Sequence, residues 1–220
     1  MNKKELAKRY MLFFIGLCFL SLGISLATKS TLGTSPASVV PYCLSLIFTK
    51  FSLGNWIIIF NVIVILTQWI ILGKRAKKQE LLLEFVLTCC FGYVTDFFVW
   101  CLGWFEPQIY IVKLLALVAS CFIIAFGIFL HTIADVIMLP FDAFARAIVM
   151  VRGGEFGKVR VIADVTITIL SAAMCLIALH SLGGVREGTV ISAFLTGNIV
   201  RLYSRKFTKL ADFLHSKIKA

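Results

Sequence analysis

The chain has 220 residues, 60% of them apolar and only 15% charged, and its mean hydropathy is +0.96. Soluble domains carry about 25% charge, and a chain this apolar would expose large sticky patches in water. A net charge of +11 would suit nucleic acid in a soluble protein. Here the basic residues cluster between apolar runs, which points to membrane topology and anionic headgroups and to no nucleic-acid partner.

Apolar stretches of roughly 20 residues recur, long enough to cross a hydrocarbon core of about 30 Å. Backbone groups in lipid must pair internally, so the spans are expected to be helices; the alternation of a β-barrel is absent. In chain order, long segments are expected at 10–28, 54–73, 81–103, 109–131, 159–181 and 186–203. The first follows Lys3, Lys4, Lys8 and Arg9 and resembles a signal peptide. It is long and lacks a clear small-residue cleavage site, so it reads as a retained span. Two shorter segments, 36–49 and 138–151, intervene. Each would be roughly 21 Å long as a helix, too short to cross. Pro36 opens the first, which Pro41 weakens further, and Pro140 opens the second.

Charge decides what the short pair does. If the six long segments cross and the short two do not, every Lys and Arg except Lys29, Lys50, Lys113 and Arg186 falls in the cytoplasm, with both termini. Lys113 can snorkel outward. If the short segments also crossed, the cluster Lys74-Arg75-Ala76-Lys77-Lys78 would move outside. The expectation is therefore a multi-pass inner (cytoplasmic) membrane protein. It is an all-α polytopic fold of six transmembrane helices plus two short re-entrant or interfacial helices.

The chain also repeats itself at a spacing of 103–104 residues. Leu22-Gly23-Ile24-Ser25-Leu26 aligns with Phe126-Gly127-Ile128-Phe129-Leu130, Pro36 with Pro140, and Gly54 with Gly157. The run from Asn61 aligns with the run from Asp164, and Glu84 with Glu187. The halves are 1–104 and 105–220, the second ending in a basic cytoplasmic tail. Three full spans per half invert the second relative to the first. Inverted-topology repeats with proline-interrupted segments at matching positions point to a transport site between the halves.

The string Gly23…Leu32-Gly33-Thr34-Ser35-Pro36, then Leu53-Gly54, then Gly92…Asp96, resembles the YczE/YyaS/YitT family of bacterial membrane proteins. The likeness covers about 10–205. In that family's pattern a Leu-Gly run leads to a proline followed shortly by an acid. Pro140-Phe141-Asp142 follows it more closely than Pro36-Ala37-Ser38, and the expected Gly-Thr appears as Gly188-Thr189 but not after Glu84. The resemblance implies a multispan bacterial inner-membrane protein and little chemistry.

Polar residues at membrane depth are costly and need a reason. Asp142 and Arg146, at i and i+4, can pair as a gate or substrate clamp, or lie with a charged face in the headgroups. Asn61 and Asp164 occupy equivalent places; they could coordinate a cation or proton, or bond a neighbouring helix. His131 and Asp135 form a proton relay or a hydrated cytoplasmic mouth. Asp96, deep in its segment, is a pathway candidate or one half of a salt bridge. Glu84 and Glu187 fit carboxylates placed by the helix dipole. The segment 29–36 reads as a hydrated loop with Ser35 as N-cap, and its N–H groups could bind an anion.

The seven cysteines sit in apolar stretches without a CxxC pair or a His partner, so no metal and no cofactor is expected. No HExxH, Walker or GxSxG string suggests an enzyme. The expected function is a transporter or channel for a small solute or ion, its pathway lined by the two short helices with Asp142, Asn61, Asp164 and Asp96. The alternatives are a substrate-capture subunit working with a separate ATPase and a non-transporting scaffold or assembly factor; the expected partners are the lipid bilayer, a small solute or ion, and either a second copy of the chain or an ATPase.

Overall fold

A computed structural model describes residues 3–206, so the basic tail beyond Lys206 lies outside the described residues. The described residues form eight α-helices and no strand. They are α1 (Lys3–Ser30), α2 (Pro36–Ile47), α3 (Leu53–Leu72), α4 (Lys78–Cys101), α5 (Tyr110–Ala134), α6 (Pro140–Arg152), α7 (Phe156–Leu179) and α8 (Glu187–Lys206). One 3-10 turn, Gly73–Arg75, joins α3 to α4.

Both short helices begin at a proline in the first helical position, where the missing N–H removes no helical bond. The residues before them, Ser35 and Leu139, are extended, as a following proline requires. Ser35 holds the N-cap position, but its hydroxyl meets that of Ser38 at 2.8 Å and caps no backbone N–H. Helix α1 ends at Thr31 in the left-handed region, and Gly33 follows at φ 116°. That turn rests on the start of α8, where the Gly188 N–H donates to the Leu32 carbonyl at 3.0 Å. A side chain at Gly33 would collide with Thr189.

Five helices are long and apolar enough to cross a bilayer: α1, α3 with its 3-10 turn, α4, α5 and α7. Helix α8, expected as a sixth, is 20 residues long but carries Arg201 and Arg205 among polar residues and does not reach that standard. The surface is apolar, and small polar residues are buried between helices within an otherwise apolar core. Ile63, Ile70, Phe97, Leu115, Ile169 and Ile177 point outward, while Ser21, Ser25, Thr95, Ser120, Ser171 and Ser192 are buried. An apolar surface with small polar residues between helices suits a chain embedded in lipid, where such residues draw helices together.

The centre is the pair α1 and α5, which share the most extensive contact in the molecule. A Cβ at Gly23 would meet Ile124 and the Ser120 carbonyl; one at Gly127 would meet Leu20 and the Gly16 carbonyl. Contacts that rise along one helix and fall along the other make the pair antiparallel. Around it, α4 packs on α1 and α8 on α5, α2 on α3 and α7, and α6 on α3 and α7. Helix α3 also packs closely on α4, whereas α7 and α8 share no comparable contact.

Candidate functional site

The first turns of α2 and α6 face one cavity of about 430 Å³. Ser35, Pro36 and Ser38 line it from α2, and Pro140, Phe141 and Asp142 from α6. Asn61 of α3 and Asp164 of α7 line it too, and Leu20, Ile24, Ile124 and Ile128 of the central pair form its apolar wall. Of the residues expected along a pathway, Pro36, Pro140, Asn61, Asp142 and Asp164 therefore come together.

Arg160 organises the charged side. It forms an ion pair with Asp142 of α6 and, through Nε, with Asp164 Oδ2 at 3.2 Å one turn further along α7. Its guanidinium also lies 4.5 Å from the centre of the Phe141 ring. Two carboxylates thus share one cation. Asp164 Oδ1 is buried and accepts no hydrogen bond. A buried carboxylate oxygen without a partner costs about 1–3 kcal/mol. Asn61, 9% exposed, lines the same space from α3.

The remaining expectations fare differently. Asp142 does not pair with Arg146. In the first turn of α6 its carboxylate meets Arg160 instead, and Arg146 points into a second space with its guanidinium 3.7 Å from the Met138 sulfur. Asp96 lies outside the cavity. It accepts the Gly54 N–H at 2.7 Å and the Ser52 hydroxyl at 2.5 Å, and so ties the start of α3 to α4. A carboxylate there neutralises the positive end of α3.

His131 and Asp135 do not hydrogen-bond to each other as a relay would require. Asp135 is the left-handed C-cap of α5, its N–H donating to the His131 carbonyl, and the His131 ring stacks on Phe13 with centroids 4.1 Å apart. Both line a second cavity of about 570 Å³, with Gln68, Arg75, Lys77, Glu80, Glu84 and Arg146. The two cavities share Ile128, Leu139 and Asp142, so the start of α6 is the partition between them.

Sequence reasoning missed Arg160 and Arg201, which also lines the smaller cavity. The signal for Arg160 was its i, i+4 spacing to Asp164, the same spacing that drew attention to Asp142 and Arg146. Arg201 had none. No group of three His, Cys, Asp or Glu among the described residues is arranged to hold a metal.

Residues 7–205 match a family of unknown function, DUF6198, and nothing in the match ties it by name to the YczE/YyaS/YitT family. No curated protein and no solved structure matches the chain.

Proposed function

The chain belongs to the DUF6198 family, and from that premise we propose that it is a membrane transporter moving a small solute or ion through the cavity at which α2 and α6 begin. One observation carries the reading. The two proline-started helices, from matching places in the two halves, meet at a space that also holds the matching residues Asn61 and Asp164.

The proposal includes an inverted pair of repeats, and the packing supports it. Gly16, Leu20 and Gly23 stand 104 residues before Ser120, Ile124 and Gly127. Gly23 meets Ser120 and Ile124 just as Gly127 meets Gly16 and Leu20. Matching helices that run antiparallel belong to halves of opposite orientation. Most neighbours agree as well: α1–α4 corresponds to α5–α8, α2–α3 to α6–α7, and α2–α7 to α3–α6, while α3–α4 has no counterpart in α7–α8. In this reading α8 is the sixth crossing, the basic loop 74–78 faces the cytoplasm with both termini, and the membrane is the cell membrane.

The halves furnish the cavity unequally. Ser38, Ile57 and Asn61 stand where the second half has Asp142, Arg160 and Asp164. One wall is neutral and the other carries an ion cluster whose arrangement a passing solute can exchange. A scaffold would gain nothing from a partnerless buried carboxylate oxygen beside an open space.

Uptake into proteoliposomes, with a panel of amino acids, organic acids, amines and inorganic ions, tests the proposal. Protein-dependent uptake of one class is expected, lost in Asp164→Asn and in Arg160→Met and kept in Asp96→Asn. Uptake equal to that of empty vesicles for every class, or unchanged in the first two variants, refutes it. Co-purification with an ATPase would favour a capture subunit instead.

A further inference from the structure

Glu84 is the buried acid that the central cavity does not use. It lies six residues into α4, about 9 Å from the helix start, and is 5% exposed. Its Oε1 accepts from Gln68 Nε2 at 3.3 Å, and its Oε2 has no donor. Gln68 Oε1 and the hydroxyl of Thr88, one turn further along α4, are buried and unpartnered too.

The donor count is short in one place. A carboxylate offers only acceptors, so with Glu84 ionised the Thr88 hydroxyl is the one unpartnered donor for two orphaned acceptors, Glu84 Oε2 and Gln68 Oε1, and a buried charge is added. A carboxylic acid turns the same oxygen into a donor, and two buried acceptors stand within the same helix pair. The Gln68 amide oxygen comes from α3 and the Thr88 hydroxyl from α4.

Among the described residues none of the surrounding cations pairs with Glu84. Lys77 pairs with Glu80 at 2.8 Å, and Arg75 donates to the Met150 carbonyl at 3.4 Å. Arg9 of α1 pairs with Glu5, and Arg146 of α6 rests on Met138. From α5 the cavity receives His131, whose Nε2 is buried and unpartnered, and Asp135; from α6 it also receives Asp142. No ion pair reaches Glu84 among the described residues. Its counterpart Glu187 starts α8, is half-exposed and pairs with Arg186 at 3.5 Å. Of these two matching acids, Glu84 is the one without an ion pair among the described residues.

We propose that Glu84 is a proton-binding site opening onto the larger cavity. It holds its proton as a neutral acid bonded into the α3–α4 interface. It releases the proton when the Oε2–H bond breaks, the pair of electrons staying on the carboxylate and the proton passing to water in the cavity. The site does not depend on the transport reading. Joined to it, the site names the coupling ion, because the larger cavity adjoins the central one across the shared wall of Ile128, Leu139 and Asp142.

Infrared spectroscopy of the purified protein in detergent, titrated with acid and base in H2O and D2O, tests the site without a substrate. The expected result is a carboxylic-acid C=O band that persists above the range of a free glutamate, about pH 4.3, and shifts in D2O. The band should be absent in Glu84→Gln and retained in Glu187→Gln and Asp164→Asn. Should Glu84→Gln fail to fold, Glu84→Asp must move the band's frequency or midpoint. A band of unchanged size in Glu84→Gln, or none above the ordinary carboxylate range in the native protein, overturns the proposal. A Glu84 band without uptake of any solute would remove the transport reading and leave the proton site standing.

Discussion

Replacing Arg160 by methionine keeps an unbranched apolar stem and removes the cation that Asp142 and Asp164 share. The side chains of Arg160, Asp142 and Asp164 are 23%, 38% and 27% exposed. Hydrogen bonds to charged groups contribute about 1.5–3 kcal/mol each when well buried. Solvent at this exposure cuts each to roughly 1 kcal/mol. The stacked Phe141 ring adds about 0.5–1 kcal/mol. Arg160→Met should therefore destabilise the fold by about 3 kcal/mol, before any repulsion between the stranded carboxylates. Measured in the Asp142→Asn, Asp164→Asn background, the same change should cost about 1 kcal/mol, because only the ring contact and packing remain. The difference, about 2 kcal/mol, is roughly a thirty-fold change in the unfolding constant. Reversible unfolding of the detergent-solubilised protein by sodium dodecyl sulfate, followed by tryptophan fluorescence, reads it directly. Equal costs in the two backgrounds would refute a charge cluster centred on Arg160.

Gly127→Val should destabilise by about 1–3 kcal/mol in the same assay, since its Cβ would stand 2.8 Å from the Gly16 carbonyl oxygen. Gly157→Ala meets no neighbour within 4 Å and should leave stability unchanged or raise it by up to about 1 kcal/mol. Asp96→Ala removes the acceptor of the Gly54 N–H and the Ser52 hydroxyl; a loss of about 1–2 kcal/mol without loss of uptake is expected. Cysteines placed at Lys77 and Lys50 in a background without native cysteines should react with impermeant reagents from opposite faces of the membrane. Labelling of both from one face would contradict the inverted arrangement.

How far the sequence could be read follows from the kind of signal each residue leaves. Pro36 and Pro140 mark helix starts through a local rule, and both short helices begin there. Asn61 and Asp164 stood out because a polar group in an apolar run needs a reason, and both line the cavity. Asp96 stood out equally, yet its carboxylate serves the start of α3. Chain position alone does not tell a capped helix end from a pathway. The partner of Asp142 was illegible because two arginines compete for it. Arg146 is nearest along its own helix, but Arg160 already lies against Asp164 and reaches Asp142 across the α6–α7 contact. Helix α8 read as a span by length, but Arg201, Arg205 and its polar residues lower its hydropathy below that of the other five.

The glycine crossing of α1 and α5 limits how this molecule can move. With main chain against main chain at Gly16, Gly23 and Gly127, neither helix can slide sideways without opening a void in lipid. Rotation about the crossing is the motion that preserves it. Displacement under such a rotation grows with distance from the pivot, so it is smallest at the central wall and largest at the periphery. Helix α7 sits at that periphery, held by α2 and α6 and not fastened to α8, and it carries Arg160 and Asp164. The part of the protein with the longest lever arm is thus the part that bears the charge.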